Sequence, residues 1–179
     1  MFPILILLSG YAVYRSTKGE DQPIGRDPQG TEIYYAESSE KSKPAFYKST
    51  LYTGQRFECI EYVRRAWIRT KGVTFEPVDS AIDLLNLTHA RSTAKYNVLY
   101  PIVKVSKDPQ VGDLIIFKPA EPNAYHGHVA MVVRVLQDRV HLAEQNYVER
   151  MTADYTREIP LVDGVLQDQS IAGIMRVKK

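Results

Sequence analysis

Three side chains able to share acyl-transfer chemistry occur in the order Cys59, His128, Glu144. Cys59 is the single cysteine of the chain and stands in Gln55-Arg-Phe-Glu-Cys-Ile-Glu-Tyr-Val-Arg-Arg65, where helical periodicity begins. A thiol at a helix start meets unpaired backbone N–H groups and the positive end of the helix dipole, and both favour the nucleophilic thiolate. His128 lies in His126-Gly-His-Val-Ala-Met-Val-Val133 and Glu144 in Val140-His-Leu-Ala-Glu-Gln-Asn146. An imidazole can accept the thiol proton and pass it to a leaving group, while a carboxylate fixes the imidazole tautomer. A lone cysteine is more often a small buried apolar residue than a nucleophile, so the elements around it must decide.

Ile60, Val63, Ala66 and Trp67 recur at steps of three and four, the stripe of a core-facing helix, and Cys59 lies beside that stripe. Glu58 and Glu61 come early, Arg64, Arg65, Arg69 and Lys71 later, and Gly72 stands where a C-cap belongs. Asp79 is placed to cap a second helix through Ala81, Ile82, Leu84, Leu85 and Leu87. The C-terminal half reads as strands: apolar runs at 114–117 and 129–135, an alternating run at 139–143 and a closing strand at 171–177. Asn123 and Gln137-Asp138 provide turns suited to antiparallel connections. The expectation is an α+β fold, with nucleophile, base and orienting carboxylate in papain-like chain order. An N-terminal helical lobe carries the cysteine and packs on an antiparallel β-sheet carrying the histidine and glutamate.

With 179 residues and 20.4 kDa, the chain can bury one core. The reading is a single domain over 1–179, with an N-terminal arm and loop over 1–43 and a catalytic core over 44–179. The net charge of +2 is spread without a basic run, which argues against nucleic acid. One cysteine excludes an intrachain disulfide framework and agrees with a reducing, cytoplasmic setting. Residues 2–8 are apolar but too short to span a bilayer, and they lack a basic leader, so a buried strand or arm is expected rather than membrane association. The stretch from Ser16 to Lys43 is rich in Gly, Pro, Ser and charged residues, with a turn at Asp27-Pro-Gln-Gly30, and reads as a long surface loop.

His126 and His128 share a strand face in His-Gly-His and would suit zinc if a third ligand existed. The one upstream histidine, His89, is followed four residues later by Thr93 rather than by a carboxylate, so the metal reading is set aside. His141 alternates away from Val140 and Leu142 and reads as a surface or structural residue.

Taken together, Gln55-Arg-Phe-Glu-Cys-Ile-Glu-Tyr-Val-Arg-Arg65, Gly127-His-Val-Ala-Met131 and Ala143-Glu-Gln-Asn146 resemble the amidase domain of glutathionylspermidine synthetase/amidases, within the CHAP group of cysteine amidohydrolases and peptidases. The resemblance runs from Gly10-Tyr-Ala-Val-Tyr14 to the final strand. It implies a Cys59, His128 and Glu144 triad, with Arg64 and Asn146 lining the site, and a glutathionyl-polyamine as small-molecule substrate. Where that family has a glutamine before the cysteine, placed to donate to an oxyanion, this chain has Glu58, which cannot donate when ionised. Arg64 is expected to hold the anionic end of the substrate. No metal, nucleotide or other cofactor is required. The alternatives are a peptidoglycan-cleaving enzyme of the same group, exported or virion-borne, and a catalytically silent structural protein.

Overall fold

Asp27-Pro-Gln-Gly30 closes a hairpin between β1 (Gly25–Arg26) and β2 (Glu32–Ile33). The Gly30 N–H donates to the Asp27 carbonyl at 2.8 Å, and its φ of 81° is one that glycine adopts without steric cost. The computed structural model describes residues 22–35, 43–120 and 126–179, so the apolar run 2–8 and the turn at Asn123 lie outside the described residues. The surface-loop expectation for 16–43 is corrected where it can be compared. Ile33 is fully buried and the Asp27 carboxylate accepts from Tyr62 Oη at 2.7 Å, which docks this polar stretch on the body.

A second hairpin, β3 (Pro44–Tyr47) and β4 (Leu51–Gln55), leads into α1 (Cys59–Lys71). Val63, Ala66 and Trp67 are fully buried and Ile60 packs at the edge of the same cluster, as the stripe requires. Trp67 donates its indole N–H to the Gly112 carbonyl at 2.8 Å and meets Phe75 edge-on at 5.6 Å. Truncating a buried side chain of this size costs about 3–5 kcal/mol, so Trp67 is a principal anchor of the cysteine-bearing helix. Gly72 ends the helix at φ 63° with its N–H on the Ile68 carbonyl, a left-handed cap.

The chain continues through β5 (Val73–Thr74), a 3-10 turn (Ile82–Asn86), β6 (His89–Ser92), β7 (Leu99–Val105), β8 (Leu114–Phe117), β9 (His128–Val135), β10 (Arg139–Ala143), β11 (Arg157–Val162), β12 (Val165–Leu166) and β13 (Ile171–Val177). Nine of these strands form one antiparallel sheet in the order β12-β11-β10-β9-β8-β13-β7-β6-β5. The second helix expected from Asp79 is a correction. Asp83, not Asp79, folds back on the chain, accepting from the Ser80 N–H at 3.0 Å and the Ser80 hydroxyl at 2.6 Å. Such local bonds compete with helix formation and leave a single tight turn. The helical lobe thus reduces, among the described residues, to α1 and this turn, but the α+β class stands.

Strand β9 is buried on both faces, which explains its nearly unbroken apolar sequence. Val129, Met131 and Val133 join the core beneath α1, whereas Ala130 and Val132 pack with Ile115, Val140, Leu142 and Ile159 on the other side. His141 is 7% exposed and stacks on Tyr155 at 3.9 Å, so of its two expected places the structural one is observed. Among the described residues, no helix is long and apolar enough to cross a membrane.

Candidate active site

The chain reaches Cys59 through a bend. Phe57 has φ 63°, a left-handed conformation costing a residue with a Cβ about 1–3 kcal/mol. Its ring stacks on Tyr34 at 4.5 Å and lies under the Arg56 guanidinium at 4.8 Å, and its carbonyl accepts from Asn146 Nδ2 at 2.7 Å. Asn146 is itself left-handed, at φ 58°. The bend sets Glu58 in extended geometry as N-cap residue with no side-chain capping bond, and Cys59 as the first helical residue. The first helical bond runs from the Tyr62 N–H to the Glu58 carbonyl, so the amides of Cys59, Ile60 and Glu61 have no partner within the helix.

His128 opens β9, and Glu144 follows the last residue of the neighbouring β10. Their side chains meet at 2.7 Å, His128 Nε2 to Glu144 Oε2, which leaves Nδ1 as the ring nitrogen available to Cys59. Burial opposes charge on this imidazole, but hydrogen bonds to Cys59 and Glu144, and the negative charge of both, outweigh it and push His128 up to about 10. The Glu144 side chain has no solvent exposure. It also accepts from Thr156 Oγ1 at 3.2 Å, Arg157 Nε at 3.0 Å and Arg157 Nη2 at 2.8 Å.

Gln145 joins the helix start to the sheet. Fully buried, it donates through Nε2 to the Glu58 carbonyl and to Glu61 Oε2, both at 3.0 Å, and accepts from Arg65 Nη2 at 2.8 Å. Glu61 in turn pairs with Arg65 at 2.7 Å and accepts from Thr53 Oγ1 at 3.0 Å. Sequence reasoning missed the parts played by Gln145, Glu61, Thr156 and Arg157. Gln145 directly follows the motif glutamate, but its burial and its contacts appear only in three dimensions.

The cleft beside Cys59 and His128 holds about 540 Å³, and Glu58, Asp79, His126 and Asn146 contribute to its wall. Arg64 also reaches the wall but is 2% exposed. Its Nη1 donates to the Thr53 carbonyl at 2.7 Å, its Nη2 to the Glu76 carbonyl at 3.2 Å, and its guanidinium lies over Phe75 at 4.4 Å. Burial pulls it down to about 10. The fork is thus closed on two backbone carbonyls and clamps β4 to the segment after β5, instead of standing open to a substrate carboxylate as expected from sequence. Asn146 likewise holds backbone at the cleft edge. His126 is exposed, and its carbonyl accepts from the Ile82 N–H at 3.2 Å. No group of three His, Cys, Asp or Glu side chains able to hold a metal occurs among the described residues.

Residues 49–146 match the model of the CHAP domain. Bifunctional glutathionylspermidine synthetase/amidase of Escherichia coli (strain K12) is 27% identical over 167 residues, covering 83% of this chain and 27% of that protein, and the Shigella flexneri protein of the same name gives the same figures. Trypanothione synthetase of Crithidia fasciculata is 28% identical over 122 residues, covering 64% of this chain and 18% of that protein. The chain spans about a quarter of the length of the first two relatives. The matched span contains Cys59, His128 and Glu144, and it exceeds half of the chain. The protein therefore belongs to the CHAP domain family.

Proposed function

We propose that this chain is a cysteine-dependent amidase that hydrolyses glutathionyl-polyamine conjugates of the glutathionylspermidine type. The observation that carries the reading is His128, held by Glu144 at 2.7 Å and lining one cleft with Cys59. The Cys59 thiolate attacks the amide carbonyl, and the oxyanion that forms is met by the Cys59 N–H at the helix start, which has no partner within the helix. His128 gives its proton to the departing amine, leaving a thioester on Cys59. His128 then takes a proton from water, the resulting hydroxide attacks the thioester, and the thiolate and imidazolium are restored. Glu144 holds the ring through Nε2.

The substrate class is supported by the names of the two amidase relatives and by the charge of the cleft. Glu58 and Asp79 place two carboxylates on its wall, which suits a leaving amine carrying further ammonium groups. The test is mass spectrometry of products after the purified chain meets glutathionylspermidine or peptidoglycan-derived muropeptides in separate reactions. Free spermidine and glutathione are expected, and Cys59→Ala should release neither. Cleavage of muropeptides with glutathionylspermidine left intact would overturn the substrate and favour a wall hydrolase. Cleavage of neither would overturn the assignment as an amidase of these substrates.

A further inference from the structure

We infer that Arg157 is a positioning residue of this reaction: its guanidinium, held in two hydrogen bonds on Glu144, supplies the positive charge that lets the buried site keep Cys59 as a thiolate beside an imidazolium. The inference rests on the cysteine mechanism proposed above, and it extends the triad by a fourth charged member.

The geometry is that of a built contact. Arg157 Nε and Nη2 grip the two carboxylate oxygens of Glu144 at 3.0 and 2.8 Å, while His128 takes Oε2 from the other side at 2.7 Å. Arg157 lies opposite Leu142 in the β10–β11 register, so it emerges where the chain runs on to Glu144. Its guanidinium lies over the rings of Phe117 at 4.3 Å and Tyr147 at 3.9 Å. Phe117 pairs in register with His128, so one ring borders both cations. The Arg157 side chain is 19% exposed and that of Glu144 is fully covered, so water screens this pair little.

Charge balance gives the pair its consequence. In the reactive state the order is thiolate, imidazolium, carboxylate, guanidinium, which sums to zero. Without the guanidinium the same state carries a net negative charge in a site that excludes solvent from Glu144, and an uncompensated buried charge is costly. The cheapest relief is a proton on the sulfur. Lysine would keep the charge but not the two-point grip that fixes the carboxylate against His128. Among the described residues, the titratable groups that face this row include Glu58, Asp79, Tyr52 and Arg64 on the cleft wall, His126 ahead of β9, Tyr147 against the guanidinium and Tyr62 on α1, all unchanged in the variants below.

The test is the rate of Cys59 alkylation by iodoacetamide from pH 4 to 10, with circular dichroism to confirm folding. The alkylation measurement needs no substrate, so an error in the polyamine assignment leaves that measurement intact. Native protein that reacts no faster near neutral pH than a free thiol would refute the underlying mechanism instead. In Arg157→Met and Arg157→Gln the pH of half-maximal alkylation should rise by about one unit or more, the effect of losing a close opposite charge, while Arg157→Lys should move it by less than half as much. Folded Gln or Met variants that keep the native pH midpoint, whatever their thermal stability, would overturn the proposal. If neither neutral variant folds, Arg157→Lys decides: an unmoved midpoint with slower amide turnover and unchanged KM supports a positioning role, and native kcat overturns it.

Discussion

Replacing Gln145 with alanine should loosen the joint between the cysteine-bearing helix and the sheet that carries Glu144. The side chain makes three hydrogen bonds, of which the one to Glu61 and the one from Arg65 have charged partners and the one to the Glu58 carbonyl has a neutral partner. Bonds to charged groups contribute roughly 1.5–3 kcal/mol each and the neutral one about 1 kcal/mol. Glu61 and Arg65 retain each other, and Glu61 also retains Thr53, so the gross figure must be discounted. A loss of about 3–4 kcal/mol remains, a large share of the roughly 5–15 kcal/mol by which domains are stable. Urea unfolding should show a fall in midpoint with unchanged slope, and thermal unfolding a drop of about 6–16 °C. Gln145→Glu should be at least as damaging at neutral pH, because it sets a second carboxylate against Glu61, and acid should relieve it. A stability change below about 1 kcal/mol in Gln145→Ala would refute the view that this amide joins the two halves.

His128→Ala should abolish turnover and His126→Ala should leave most of it, while Glu144→Gln retains a measurable remainder; steady-state kinetics on one substrate compares all three. Glu58→Gln places an amide next to the nucleophile and should raise kcat, by at most about 10²–10³-fold if the new donor reaches the oxyanion, with an unchanged rate showing that the side chain points elsewhere. Because His128 is raised from 6.5 to about 10, its contribution to stability is fully present below about pH 6.5 and is lost as pH rises through about 10. Urea midpoints of native protein should therefore fall between neutral pH and pH 10 more steeply than those of His128→Ala. In Cys59→Ala the imidazole loses one of its two anionic neighbours, and the fall should begin at lower pH.

Helix α1 was legible because its stripe, its charge order and its glycine cap agree with one another, and its anchoring by Trp67 follows from that stripe. The nine-stranded sheet was legible at β8, β9, β10 and β13, from apolar or alternating runs, and not at β5, β6, β7, β11 and β12, which carry no such run. Asp79 misled because the nearby Ser80 and Asp83 make a local bond that competes with a cap. Cys59, His128 and Glu144 could be chosen from residue type and motif. Arg64 shows the limit of such reasoning: motif position brings it to the cleft wall, but only three-dimensional structure reveals that two carbonyls take its fork. Gln145 and Arg157 act through contacts across strands and between helix and sheet, and nothing in their own sequence neighbourhoods marks those contacts.

The central claim is that Cys59 carries the acyl group, and the most direct measurement is kcat/KM of Cys59→Ala against native protein on glutathionylspermidine, with folding checked by circular dichroism. Cys59 sits at the end of the helix and 8% exposed, so removing its sulfur should leave the fold in place. Turnover is predicted to fall by about four orders of magnitude or more, since no other group can form the thioester. A folded Cys59→Ala protein that releases spermidine at a rate near that of the native chain would contradict the account.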